Sequence, residues 1–96
     1  MQKNAGMKIK FSKKFSKQYG KSPKQIRRFF DERLALFIKD QSDPLLNNHS
    51  LKGNLSGYRS INITGDWRAL YSEYEENDSG TIVIFELIGT HSQLYR

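Results

Sequence analysis

The stretch 57-GYRSINITGDWRALYSEYEENDSGTIVIFELI-88 decides the fold. Three runs rich in β-branched and aromatic residues, 57–63, 66–75 and 81–88, are separated only by TG at 64–65 and ENDSG at 76–80. Connections that short make hairpins, so the three runs predict an antiparallel meander. Alternation then sorts the side chains. Ile61 and Ile63 share one side, with Tyr58, Ser60 and Asn62 on the other; Trp67, Ala69 and Tyr71 likewise oppose Arg68, Leu70 and Ser72. Parity does not say which set faces the core, but it keeps Trp67 and Arg68 apart while the strand stays regular.

Upstream of the meander, MKIKF at 7–11 alternates apolar and basic residues, the period of a strand with one buried face. A short helix should follow, capped by Ser12, carrying Phe15 and Tyr19 inward and stopped by Gly20 in a left-handed conformation. A second helix should open on SPKQ, with Ser22 as cap, Pro23 in the first turn and Gln25 closing a capping box. Its apolar stripe is Ile26, Phe29, Phe30, Leu34, Phe37 and Ile38, a core face, and it should end before Pro44. The segment LLNNHSLKGNLSG, 45–57, is rich in turn formers, yet its leucines predict a loop that packs down. The expected architecture is α+β: an N-terminal strand, two helices packed on one face of an antiparallel sheet, and the three-stranded C-terminal meander completing that sheet. One domain spans 1–96, with 1–6 read as a flexible extension and Met7 as an alternative start.

Ninety-six residues give room for one core and an open surface site, not a deep enclosed pocket. Without cysteine there is no disulfide framework or thiolate metal site, and two histidines lacking metal-ligand spacing give no structural zinc site. No metal or other cofactor is expected. The longest apolar run, TIVIF, is far short of the ~20 residues that cross a bilayer. The opening MQKNAGMKIK lacks the apolar core of a signal peptide. A soluble cytoplasmic protein without a membrane partner is the expectation. The net charge of +6 is uneven: residues 1–48 hold 12 Lys/Arg against 4 Asp/Glu, and residues 49–96 hold 4 against 6. A field concentrated in one half favours a polyanion such as nucleic acid or an acidic protein.

The residues that carry chemistry lie in HSLKGNLSGYRSINITGDWRALY, 49–71, and IGTHSQLY, 88–95. The order H-x-L-x-G, G-Y-R, D-[WY]-R and G-T-H-x-x-L-[FY] resembles the RelE/ParE superfamily of bacterial toxins, and most closely its YafQ-like branch. The preceding strand and helix pair fit the same fold, so the likeness spans almost the whole chain as a single RelE-like domain. The resemblance implies a ribosome-dependent, metal-independent endoribonuclease that cuts mRNA in the ribosomal A site. Its partners would be the ribosome with its RNA, the mRNA, and a cognate antitoxin that holds it inactive.

Cleavage of this kind needs a base for the attacking ribose 2′-hydroxyl, an acid for the leaving 5′-oxygen and cations for the phosphorane. By motif match the acid role falls to His91, base or phosphate-positioning roles to His49 and Asp66, and charge stabilisation to Arg68. Arg59, Lys52 and Asn62 would contact phosphate or a base edge, and Trp67 and Tyr95 would stack or orient the base. Some YafQ-like members have a histidine where this chain has Asn62, which hydrogen-bonds but does not shuttle protons near neutral pH. Read without the resemblance, His91 is a strand-end residue, His49 a surface loop residue, Asp66 a hairpin aspartate and Trp67 a core residue. Arg59 then pairs with Glu86, the one carboxylate inside the apolar run at 81–88. Two other function classes stay open: a non-catalytic module binding RNA or antitoxin, and a ParE-like gyrase poison.

Overall fold

Alternation in MKIKF produces a strand, β1 (Met7–Phe11), in the computed structural model, which describes residues 6–77 and 80–95. Of the extension expected over 1–6, residues 1–5 lie outside the described residues. Ser12 caps the first helix, α1 (Lys13–Lys21), its hydroxyl accepting from the Phe15 N–H at 3.0 Å. The helix runs through Gly20 instead of stopping there. Its end is closed by Ser22, whose hydroxyl donates to the Gln18 carbonyl at 2.8 Å. That bond satisfies an otherwise orphaned carbonyl and turns the side chain away from the next helix. The second helix, α2 (Lys24–Lys39), therefore begins on Pro23 with no side-chain cap, and the expected Ser22–Gln25 box does not form.

Along α2, Ile26, Phe30 and Phe37 are buried, and Phe29 and Leu34 pack at the margin of the core. Ile38 falls off the stripe at 55% exposure. The helix ends before Pro44, as its sequence requires, and Pro44–Leu46 make one 3-10 turn that buries Leu46 completely. The loop packs down through Leu46, with Leu51 and Leu55 half-buried, while Leu45 stays exposed. It also supplies a two-residue strand that turn-forming composition concealed, β2 (His49–Ser50).

The meander forms as read: β3 (Arg59–Asn62), β4 (Trp67–Glu75) and β5 (Thr81–Thr90) pair antiparallel, with β2 added beyond β3. The sheet order is β1-β5-β4-β3-β2, and β1 joins β5 in parallel, Met7 opposite Thr81 through Phe11 opposite Phe85. The sheet is mostly antiparallel, as expected, with one parallel pair where β1 joins it. Hairpins force antiparallel neighbours, whereas the long helical connection after β1 leaves its direction free.

The two main helices cover one face. Ile61, Ile63, Ala69, Tyr71, Val83, Phe85 and Ile88 point into it and meet Phe15, Phe30 and Phe37. Phe85 is the hub, with ring centroids 5.4–6.0 Å from those of Phe11, Phe15, Phe30, Phe37 and Tyr71. Pairing slips between Leu70–Leu87 and Tyr71–Phe85, leaving Glu86 as an extra residue in β5. The bulge places the Glu86 carboxylate 2.9 Å from the Ser72 hydroxyl that donates to it, and Arg59 is bonded elsewhere, so the expected Arg59–Glu86 pair is absent.

Candidate active site on the open sheet face

Cross-strand register brings together residues far apart in the chain, because directly opposed residues point to the same side of a sheet. His49 opposes Ser60, Ser60 opposes Leu70, and Asn62 opposes Arg68. Their shared face is the one that α1 and α2 leave uncovered.

His91 reaches it by a route different from the expected strand end. β5 extends to Thr90, and His91 opens a one-turn helix, α3 (His91–Leu94). Thr90 Oγ1 accepts from the Gln93 N–H at 3.2 Å, and Gln93 Oε1 accepts from the Thr90 N–H at 2.8 Å, a complete capping box. The signal was present in T-H-S-Q, 90–93, and sequence reading passed over it. Gly89 is where α3 folds back on the strand: a Cβ there would stand 2.9 Å from Gln93 Oε1 and 3.4 Å from Leu94 Cδ2. The His91 N–H donates to the Asp66 carbonyl at 2.8 Å and ties α3 to the β3–β4 hairpin.

The exposed His91 ring meets Tyr95 edge to face, with centroids 4.4 Å apart and planes at 88°. The Tyr95 hydroxyl donates to Ser60 Oγ at 3.0 Å. Ser60, itself fully buried, is the cross-strand neighbour of His49, so it links Tyr95 and His91 to His49 from within the sheet, and the two imidazoles are the exposed members of the row. His49 is exposed, with Nδ1 2.8 Å from the Asn47 carbonyl. Arg68 is held at the hairpin by bonds from Nη1 to the Thr64 and Trp67 carbonyls, at 2.9 and 3.0 Å. Next to it, Asn62 Oδ1 is buried without a hydrogen-bond partner. Asp66 sits exposed at the same turn, its N–H bonded to Thr64 Oγ1 at 3.3 Å. Lys52 and Tyr95 line an open hollow of about 350 Å³ with Leu51, Asn54, Leu55 and Leu94.

Two of the expected site residues lie on the helix side instead. Trp67 packs against the core and borders a recess with Gln18, Lys21 and Ile88. Arg59 donates from Nε to Asn48 Oδ1 at 3.0 Å, on the side carrying Tyr71. Tyr71 is fully buried, which pushes its phenol above the usual tyrosine range, while hydrogen bonds from Asn48 and Arg59 pull part of the way back. Sequence reading missed Asn48, which stands beside His49 and joins these groups. Among the described residues no cluster of three or more His, Asp or Glu is placed to hold a metal ion, and no helix is long and apolar enough to cross a membrane.

Two exposed imidazoles linked by this row, with a guanidinium beside it, offer proton donors, proton acceptors and positive charge to an anionic group. Comparison with known proteins bears on the family and the fold. The family model described as bacterial toxin of type II toxin–antitoxin system, YafQ, matches residues 7–96. No curated protein sequence matches the chain. Among solved structures, YafQ from E. coli strain BL21(DE3) is similar at 22% identity, over 94% of this chain and 99% of that one, with a TM-score of 0.76. The E. coli DinJ–YafQ toxin–antitoxin complex matches at 23% identity, 94% and 98% coverage and a TM-score of 0.73. The Mycobacterium tuberculosis toxin–antitoxin complex RelBE2 matches at 21%, with 88% and 96% covered and a TM-score of 0.59. These likenesses identify the fold as RelE-like. By the family match across residues 7–96, the chain belongs to the YafQ family of toxins of type II toxin–antitoxin systems.

Proposed function

We propose that this toxin is a ribosome-dependent endoribonuclease that cuts mRNA in the ribosomal A site, metal-free, and is neutralised by a cognate antitoxin. The observation that carries the reading is the row of His91, Tyr95, Ser60 and His49 on a sheet face that the main helices leave open. In the reaction the ribose 2′-oxygen bonds to the adjacent phosphorus and the bond from phosphorus to the 5′-oxygen breaks. His49 takes the 2′-hydroxyl proton, and His91, bonded through its N–H to the Asp66 carbonyl at the hairpin, gives a proton to the departing 5′-oxygen. A 2′,3′-cyclic phosphate and a 5′-hydroxyl result. Arg68 faces the phosphorane charge, Asn62 contributes a hydrogen bond, Tyr95 stacks on a base, and Lys52 meets phosphate at the rim of the adjoining hollow. Arg59 and Trp67 act from behind the sheet, as parts of the scaffold. The solved complexes of relatives pair a toxin with its antitoxin, and the same pairing is proposed for this chain in the cytoplasm.

An open face on an 11.2 kDa protein offers little surface for holding and bending RNA unaided, so the ribosome must present the strand. The purified protein is therefore expected to cut mRNA engaged by translating ribosomes and to leave naked mRNA intact. Equal cutting in both, or none in either, refutes the reading. A supercoiling assay with gyrase run alongside reports the alternative activity.

The basic half supplies a second expectation. Lys13, Lys14, Lys17, Lys21 and Lys24 are all exposed, on α1 and the start of α2. Changing all five to Gln is expected to weaken ribosome binding and flatten its salt dependence, since every phosphate left unneutralised takes about 0.7–0.9 off the logarithmic salt slope. The denaturant midpoint should hardly move. An unchanged affinity and slope would reduce the cluster to a solubilising surface.

A further inference from the structure

We propose that Asn48 is a positioning residue that locks the edge strand carrying His49 and, through the carbonyl of Asn47, sets which nitrogen of His49 is free to accept a proton. The inference rests on the base role proposed for His49, and extends it to residues that never touch RNA.

The Asn48 side chain is held by three separate elements. Its Nδ2 donates to the Gln41 carbonyl, after α2, at 3.2 Å. The Tyr71 hydroxyl, from β4, lies across the amide, 2.8 Å from Nδ2 and 3.1 Å from Oδ1. Arg59, from β3, donates from Nε to Oδ1 at 3.0 Å. Tyr71 is itself wedged in the core, its ring centroid 5.0 Å from that of Phe37 and 5.5 Å from that of Phe85. A loop residue is thereby anchored to the most rigid part of the molecule.

The anchor matters because β2 is only two residues long and has little ladder of its own. Asn47, immediately before Asn48, adopts the left-handed conformation, φ 46° and ψ 48°, which aims its carbonyl at His49 Nδ1, 2.8 Å away. A carbonyl only accepts, so neutral His49 must carry its proton on Nδ1. Its Nε2 is left with a lone pair, the form a general base needs. In water a histidine side chain favours the opposite tautomer, so the preference is a signature of the fold. Arg59 acts in the same way, through its single Nε bond to Asn48 and not on a phosphate.

The test is Asn48→Ala, examined by ¹⁵N NMR of the imidazoles at a pH where His49 is neutral and by single-turnover cleavage on translating ribosomes. The parent protein should show His49 with Nδ1 protonated. The variant should show a mixture shifted toward Nε2–H, and cleave on the order of 10²-fold more slowly at unchanged ribosome affinity, the scale of a misplaced catalytic group. Tyr71→Phe, which keeps the ring in the core and removes only the hydroxyl, should produce a smaller shift of the same kind; it stands in if Asn48→Ala fails to fold. Arg59→Lys retains the charge but loses the Nε donor to Asn48 Oδ1, and should shift the tautomer in the same direction as Asn48→Ala. An unchanged tautomer in the variants overturns the proposal, whatever happens to the rate. A parent protein with Nε2 protonated overturns it as well. If the parent does not cleave RNA at all, the endonuclease reading fails, and the tautomer measurement still decides the positioning claim.

Discussion

His91→Ala is expected to slow single-turnover cleavage on ribosomes by about 10²- to 10⁴-fold, roughly 3–5 kcal/mol of barrier, the cost of removing a positioned proton donor. The reason the loss should fall on chemistry and not on folding lies in how His91 is held. Its structural bonds are main-chain: the N–H donates to Asp66, and the carbonyl accepts from Tyr95. Alanine keeps both, and the Thr90–Gln93 capping box does not involve the side chain. What alanine loses is an exposed ring and its packing on Tyr95, so the denaturant midpoint should shift little. The comparison requires saturating toxin, so that weak binding is not read as slow chemistry. A folded, ribosome-bound variant that cleaves at the parent rate would remove His91 from the mechanism and leave the proton transfers to His49 and Asp66.

Phe85→Ala should have the opposite character, unfolding the protein without touching the open face. Phe85 is fully buried in the strand between β1 and β4, and five aromatic rings close around it. Truncation removes the transfer free energy of the ring and leaves a cavity that interlocked neighbours cannot fill, about 3–5 kcal/mol together. A domain of this size has about 5–15 kcal/mol in all. Urea denaturation should therefore show a midpoint much below the parent's, with toxicity in cells falling through loss of folded protein. Phe85→Leu, closer in volume, should recover a substantial part. A midpoint within error of the parent for Phe85→Ala would mean that the aromatic cluster is not the stabilising centre.

The four longer strands and both main helices are written in local patterns, which is why they were legible. Period two marks the meander, a four-residue spacing marks Phe15 and Tyr19, and Pro44 sets a limit to α2. What escaped reading was decided by competition or by distance. Ser22 is a good cap for either of two helices, and only the structure shows its hydroxyl taken by Gln18. The parallel pairing of β1 with β5 joins residues more than 70 positions apart and leaves no local trace. β2 exists only because β3 offers it an edge. Alternation did separate Trp67 from Arg68, and the structure puts the tryptophan against the core, while motif matching alone had placed both at the substrate. Asn48 went unnoticed because asparagine among turn formers reads as a turn; its partners come from three other elements.

The strand order has a consequence for how the toxin is made. β5 lies inside the sheet, between β1 and β4, yet it is the last of the five strands to leave the ribosome during synthesis. Until it emerges, β1 has no partner, the aromatic cluster lacks its centre, and the scaffold of the open face cannot close. Native pairing must wait for contacts of long sequence separation, which form late and at high entropic cost. A growing chain thereby has no completed face until its last strand is out, and a chain terminated before β5 lacks the central strand of the fold. An antitoxin present at the moment of release meets a toxin that has only just become competent.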